Sequence, residues 1–401
     1  MMEFELSNEE RIFLDTLSNI LEKELKPIAK EIDSNRKEIY GVFKKLGDHG
    51  FLGLLNSEKY GGANASMKIA VLAAEQIGKN DPSLATAVLF LLNTAWSTIV
   101  EKYGKEEVAE EYITKMAKGE AFIGICSTEP TGGSDVASIR TVAKKENENY
   151  YISGEKIYIS GVKEILETDG GLVTLAKTDI EKGSKGISAL FIPLKKVSGF
   201  EFFKIENMGR MGVSTSILKF NNLEINQKYL LGEENKGFYY AMEGFTTARI
   251  MVAASCIGAA EAVLELGIDY IKKREAFGKP IAKYEGIQFP LSDLYTKLEA
   301  AKLLVLKAAH VYDSMKKNQA SKSEVAKYSA MSKLLAPQIG IEIISEVMKW
   351  LGAYGYTKDA GVEMALRGMF SYYVGAEGTP NIMRIIIARE ILGREFLPYR
   401  D

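Results

Sequence analysis

The residues best suited to chemistry lie near the end of the chain, in Tyr372-Tyr-Val-Gly-Ala-Glu377-Gly-Thr379-Pro-Asn-Ile-Met-Arg384. Thr379 suits a helix N-cap, and Pro380 suits the first helical position, where a missing N–H costs nothing. The mostly apolar run Ile382–Leu392 then reads as a buried helix stopped by Gly393. Glu377 stands just ahead of it, flanked by Gly375, Ala376 and Gly378. Two effects oppose each other at such a carboxyl: desolvation raises its pKa, while the positive helix end lowers it. The group suits a base working near neutral pH, and equally a simple partner for the helix dipole.

Four further stretches carry polar or aromatic groups at useful spacings. Ile125-Cys-Ser127-Thr128-Glu-Pro-Thr-Gly-Gly133-Ser134 leaves a strand with hydroxyls and adjacent glycines, which permit close backbone approach to a planar heterocycle or a phosphate. It also fits an ordinary turn. In Gly154-Glu-Lys-Ile-Tyr158-Ile159-Ser160, a strand sets an aromatic face two residues from a hydroxyl. Arg274 and Phe277, in Lys272-Lys-Arg-Glu-Ala-Phe-Gly278, sit at a helix end where cations are favoured and an arginine can hold a phosphate. Trp350-Leu-Gly352-Ala353-Tyr-Gly contains a glycine that a helix C-cap alone would explain.

The elements that must position these residues change character twice along 401 residues. Helical spacing dominates residues 1–118, opening with a capping box at Ser7 and the apolar series Ile12, Leu14, Leu17, Ile20, Leu21 and Leu25. A second helix is expected over 35–49, ended by Gly50. Pro82–Val100 has no charge but contains Ser83, Asn93 and Ser97, which favours a buried core helix over a membrane span. Residues 119–232 read as strands at Phe122–Cys126, Tyr150–Ser153, Leu172–Ala176, Ile187–Ile192 and Ile217–Phe220. Long helical patterns return over 233–401. The fold class is mainly α with a central β domain.

Composition excludes several functions. A net charge of −2 gives no general attraction to nucleic acid or anionic lipid. Two histidines, His49 and His310, each in an expected helix, supply neither a metal cluster nor a histidine-based triad. Cys126 and Cys256 cannot build a disulfide framework; with an acidic start lacking a signal-peptide pattern, they lead to the expectation of a cytoplasmic protein.

Taken together and in this order, these motifs resemble the acyl-CoA dehydrogenase family over nearly the whole chain. The resemblance is carried by Gly50-Phe-Leu-Gly-Leu, Tyr60-Gly-Gly, Thr128-Glu-Pro with Gly133-Ser-Asp, Asn207-Met-Gly-Arg-Met-Gly, Leu230-Leu-Gly-Glu-Glu-Asn-Lys-Gly-Phe, Arg274-Glu-Ala-Phe-Gly and Glu377-Gly-Thr. It implies an N-terminal helical domain, a middle β-barrel or sandwich domain, and a C-terminal four-helix bundle. It further implies FAD, an acyl-CoA substrate, a homotetramer built as a dimer of dimers, and an electron-transfer flavoprotein as acceptor.

The resemblance also implies roles for residues. Glu377 would take the α-proton while a β-hydride goes to flavin N5, giving a trans-2-enoyl-CoA. Ile125, Ser127, Thr128, Gly133, Ser134, Tyr158, Ile159 and Ser160 would hold the flavin, with Thr379 and Asn381. Arg274, Phe277, Gly352 and Ala353 would reach a neighbouring subunit's FAD. Ser134, Arg249, Ala376 and Gly378 would border the acyl-CoA. Some members carry the base just before Arg249, where this chain has Ala248, so Glu377 has no rival there. The chain departs from the family in having Tyr158 for a common Trp, and Ala376 for a common Tyr, which widens the acyl pocket. Two family glutamines fall on Glu285 and Lys349, with Gln288 as a substitute; an ion pair between Glu285 and Lys349 is one reading of that change. The helix over 84–100 has no Arg or Lys, so a monocarboxylic acyl group is expected. An oxygen-using flavoenzyme of the same fold and a non-catalytic assembly partner are the alternatives.

Overall fold

The computed structural model describes residues 6–397, so Met1–Glu5 of the expected leaderless start lie outside the described residues. Helices come first: α1 (Asn8–Glu24), α2 (Ala29–Asp33), α3 (Tyr40–Asp48), α4 (Met67–Asn80), α5 (Ala85–Tyr103) and α6 (Glu106–Ala117). The Ser7 hydroxyl and the Glu10 carboxylate exchange hydrogen bonds with each other's backbone N–H, so the capping box forms as read. Leu14, Leu17, Leu21 and Leu25 enter the core, but Ile12 is 66% exposed, one position off the buried stripe. The second helix starts at Tyr40, later than expected, and His49 caps its C-terminus instead of lying within it. In α5 nearly every residue is buried, since the helix is wrapped by protein on all sides.

The middle segment contains β1 (Phe122–Cys126), β2 (Val142–Glu146), β3 (Asn149–Ser160), a short helix α7 (Val162–Glu167), β4 (Gly170–Lys177), β5 (Ile187–Ile192), β6 (Phe200–Lys204), β7 (Thr215–Asn226) and β8 (Leu230–Leu231). The order across the sheet is β6-β7-β3-β2-β4-β5-β8, with β1 parallel to β4. The exposed strands β2 and β6 lack a buried apolar face and were not legible from alternation. Asn93 on α5 accepts from the Ile123 N–H at 2.8 Å, tying the helical segment to β1.

The C-terminal segment comprises α8 (Gly237–Lys273), a hairpin of β9 (Glu275–Ala276) and β10 (Lys279–Pro280), α9 (Glu285–Lys316), α10 (Lys322–Leu351), α11 (Val362–Val374) and α12 (Pro380–Leu392). Among the described residues α8 alone is long and apolar enough to cross a membrane, and most of that apolar stretch is buried against protein. It crosses α4 closely because glycines meet backbone: a Cβ on Gly258 would lie 1.8 Å from the Glu75 carbonyl, and one on Gly78 would lie 2.1 Å from that of Ser255. The expectation of a buried α12 fails. Met383 is its one buried residue, while Ile391 and Leu392 are 67% and 59% exposed.

Candidate active site

A single cleft of about 2000 Å³ runs between α5, the strand ends of the sheet, α8 and the loop between α11 and α12. That loop is built as read. The Thr379 hydroxyl accepts from the Ile382 N–H at 3.3 Å, and Pro380 occupies the first turn of α12. Glu377 adopts φ +60°, a left-handed conformation costly for a residue with a side chain, and Gly378 follows at φ +119°.

Two clamps hold the strained turn. Arg249, buried on α8, donates from Nε to the Glu377 carbonyl at 2.9 Å. Lys333, buried on α10, donates from Nζ to the Gly378 carbonyl. Ala376 and Gly378 commit their N–H groups to Ser371 and Gly375, whereas the Glu377 N–H donates to no group among the described residues.

The Glu377 residue is only partly covered, yet its Oε2 is enclosed without a hydrogen-bond partner. Burial raises its pKa to about 7, against the opposing pull of Arg249, Lys333 and Arg210. Burial likewise pushes Lys333 down to about 8. An enclosed carboxyl beside a free N–H can remove a proton from carbon and hold a developing oxyanion in one place.

Ile125, Ser127, Thr128, Gly133, Ser134, Tyr158, Ile159 and Ser160 also form part of the cleft wall, as does Thr379 beside Glu377. The hydroxyls of Ser127, Thr128, Ser134 and Ser160 make no hydrogen bond among the described residues. Tyr158 sits at φ +61°, beside a register break between Lys156 and Ile159, with 63% of its surface exposed. Four unsatisfied hydroxyls beside an exposed aromatic ring fit the donors and the flat face that a flavin needs. Arg249, Ala376 and Gly378 border the same space.

One anchor of this wall was missed in the sequence. Glu129, within the Thr-Glu-Pro motif, points away from the chemistry: it accepts from the Arg140 and Thr141 N–H groups at 2.6 and 2.9 Å and from Lys156 at 2.9 Å. Burial would raise the Glu129 carboxyl, but the Lys156 charge and these donors hold it below its usual value. Lys156, wholly buried in β3, also donates to the Ser127 carbonyl at 3.1 Å, fixing the loop. Lys156 stands next to Glu155 in a strand of mixed residues, which is no clear signal in a sequence, and only the fold shows what it meets.

The remaining candidates lie elsewhere. Arg274, Phe277, Glu285, Gln288, Lys349, Gly352, Ala353 and Asn381 are all exposed on the outside of the helical bundle, apart from the cleft lining. Phe277 is 97% exposed and sits at φ +52° in the turn between β9 and β10. The expected Glu285–Lys349 pair does not form within the chain: Lys349 pairs with Glu346 at 2.7 Å, one helical turn back, which is its nearest carboxylate. Gln288 donates to the Ala282 carbonyl, and Asn381 accepts from Arg384. Neither His49 nor His310 enters the cleft, and no cluster of metal ligands occurs among the described residues.

Comparison with known proteins agrees with this geometry. Models of the acyl-CoA dehydrogenase N-terminal, middle and C-terminal domains match residues 7–120, 124–223 and 235–392. An acyl-CoA dehydrogenase of Bacillus subtilis (strain 168) is 36% identical, with 92% of this chain and 94% of that protein covered. A 3-(aryl)acrylate reductase of Clostridium sporogenes is 35% identical, over 92% and 95%. Among solved structures, a chain described with the electron transferring flavoprotein of Acidaminococcus fermentans superposes with a TM-score of 0.90 at 33% identity, covering 98% of this chain and 100% of that one. With its three domains matched in order and the cleft between them, this chain belongs to the acyl-CoA dehydrogenase family of FAD-dependent oxidoreductases.

Proposed function

We propose that the protein dehydrogenates an acyl-CoA thioester between its α and β carbons, giving a trans-2-enoyl-CoA. The observation that carries this reading is the Glu377 carboxyl, whose Oε2 is enclosed and partnerless in the same cleft as the free hydroxyls of Thr128, Ser134 and Ser160. Bound FAD supplies the acceptor for the β-hydrogen and its electron pair.

The protein's own groups do the rest. Glu377 takes the α-proton, and its free N–H polarises the thioester carbonyl so that negative charge has somewhere to reside. Arg249 and Lys333 keep the strained turn in place by holding the carbonyls of Glu377 and Gly378. Ser127, Thr128, Ser134, Tyr158, Ile159 and Ser160 would hold the flavin, with Ile125, Gly133 and Thr379 shaping the wall around it. Ser134, Ala376 and Gly378 would border the acyl-CoA.

The exposed set supports a homotetramer. An aromatic side chain 97% exposed on a left-handed turn is unfavourable in two ways at once, unless a second subunit covers it. Arg274, Phe277, Gly352 and Ala353, with Glu285, Gln288, Lys349 and Asn381, would then complete the FAD site of a neighbour. The exposed apolar residues Ile391 and Leu392 of α12 suit the same burial. An electron-transfer flavoprotein is the proposed acceptor, and the likeness to the chain described with one favours it. Two free, buried cysteines suit a reducing compartment, taken to be the cytoplasm, and a role in fatty-acid β-oxidation is compatible with this chemistry.

A second reading has an observation behind it. A reductase is among the relatives, and the same base, protonated, returns an α-proton when the reaction runs toward the saturated thioester. Anaerobic titration of the FAD-loaded protein with acyl-CoA and enoyl-CoA panels tests both. Bleaching by an acyl-CoA, absent in Glu377→Gln, supports dehydrogenation. A flavin indifferent to every thioester overturns it.

A further inference from the structure

The fold puts into the cleft a cation that the chemistry above uses only for its pull on Glu377. Arg210, from the Asn207-Met-Gly-Arg motif between β6 and β7, lines the same cavity as Glu377. Its Nε is buried without a hydrogen-bond partner, and its guanidinium lies 5.7 Å from the centre of the Tyr372 ring. The other basic groups enclosed in this lining are engaged. Arg249 holds the Glu377 carbonyl, Arg367 pairs with Asp33 and Glu363, and Arg389 pairs with Glu390. Arg210 has no carboxylate within ion-pair distance among the described residues. The carboxylate whose charge reaches it is that of Glu377, beyond ion-pair distance.

The position of this arginine is held firmly. Its backbone is left-handed at φ +55°, and the Arg367 guanidinium donates to the adjoining Met208 carbonyl at 3.1 Å. Gly209 packs on the Arg367 backbone, and a Cβ on Gly212 would meet Ile32 at 2.1 Å and Ala85, at the start of α5, at 3.4 Å. Tyr372, under the guanidinium, donates to the Leu84 carbonyl at 3.3 Å. Thus loops from three segments fix Arg210 beside the start of α5. Near its start that helix lines the cleft with apolar Val88, Leu91 and Leu92, while Lys102 at its far end pairs with Glu243. A desolvated guanidinium with no hydrogen-bonded carboxylate is costly, and an incoming carboxylate offsets that cost with paired hydrogen bonds.

We propose that Arg210 anchors a carboxylate carried by the acyl group, so that the substrate is the mono-CoA thioester of a dicarboxylic acid. This rests on reading the cleft as an acyl-CoA site, and it replaces the expectation of a monocarboxylic acyl group. That expectation rested on residues 84–100 having no Arg or Lys; the cation arrives from the β segment, 125 positions further along than Ala85.

The test uses the FAD-loaded enzyme with succinyl-, glutaryl- and adipyl-CoA beside butyryl- and hexanoyl-CoA, with an artificial electron acceptor. The expected kcat/KM favours at least one dicarboxylic thioester over its monocarboxylic counterpart by about 10- to 100-fold. Arg210→Gln should collapse that ratio toward unity, mainly through KM, with Arg210→Lys in between. The inference is overturned if the wild type prefers the monocarboxylic thioesters, or if Arg210→Gln lowers both classes in parallel with a shifted pH limb, which would make Arg210 a partner of Glu377 alone. Should the Gln variant fail to fold, the wild-type panel decides by itself. Bleaching by butyryl-CoA with none by the dicarboxylic series sinks the anchor but spares the dehydrogenase reading; bleaching by neither sinks both.

Discussion

The cleft wall and the outer face of the helical bundle hold two halves of one candidate set, and they differ in almost every physical respect. In the cleft, strain is offset locally: Glu377 and Tyr158 are both left-handed, but Arg249, Lys333 and the Glu129–Lys156 pair secure the surrounding backbone. On the outer face, Phe277 is equally strained and almost wholly exposed, and Arg274 has no ion pair among the described residues. The chain completes the first region by itself. The second is not completed by the chain itself, and in the proposed oligomer it would become part of the cofactor site.

The largest effect expected on the inner half is from Glu377→Gln, which removes the base but keeps size and polarity. Its rate of flavin reduction by acyl-CoA should fall about 10³-fold or more, with FAD retained. Stopped-flow bleaching measures this, and a near-normal rate would move the chemistry elsewhere. Next, Lys156→Met leaves Glu129 buried without its cation and should cost about 3–5 kcal/mol of stability in denaturant melts. A loss under 1 kcal/mol would mean the loop holds without the pair.

On the outer half, Phe277→Asp should break the assembly and weaken FAD binding by about 10-fold or more, as one buried aromatic contact is lost. Sedimentation and flavin release report it; an intact assembly with full FAD would dissolve the distinction between the two regions. The finest discrimination comes from pH. Because burial raises Glu377 to about 7, kcat/KM should fall as the pH drops below that value and the base protonates. Lys333→Met removes one of the charges that hold this carboxyl down, so the limb should move to higher pH. Stability carries the opposite sign: the folded state favours the protonated form, so this group's contribution declines as pH rises from 4.5 to about 7, and Glu377→Gln abolishes the decline.

Much of the site was readable from local chemistry. The capping box at Ser7, the Thr379 cap with Pro380, and the strand leading to Tyr158 and Ser160 depend on neighbours a few residues apart. Such signals survive without tertiary context. The failures share another cause. The exposed apolar α12 was read as buried because composition does not separate an apolar helix covered by the chain's own core from one left on its surface. Lys349 found Glu346, one turn away, rather than Glu285, since a charge pairs with whatever lies within reach.

By itself the sequence determined the order of helical, β and helical segments, the capped loop that carries Glu377, and the hydroxyl-rich turn after β1, because each is encoded by spacing over a dozen residues or fewer. Only the tertiary structure decided which charges meet. It enclosed Lys156 with Glu129, brought Arg249 and Lys333 to the two carbonyls of one strained turn, and carried Arg210 to the start of α5 within reach of the Glu377 charge but without an ion pair. The strength of a charge depends on distance and dielectric, and both are properties of the packed chain.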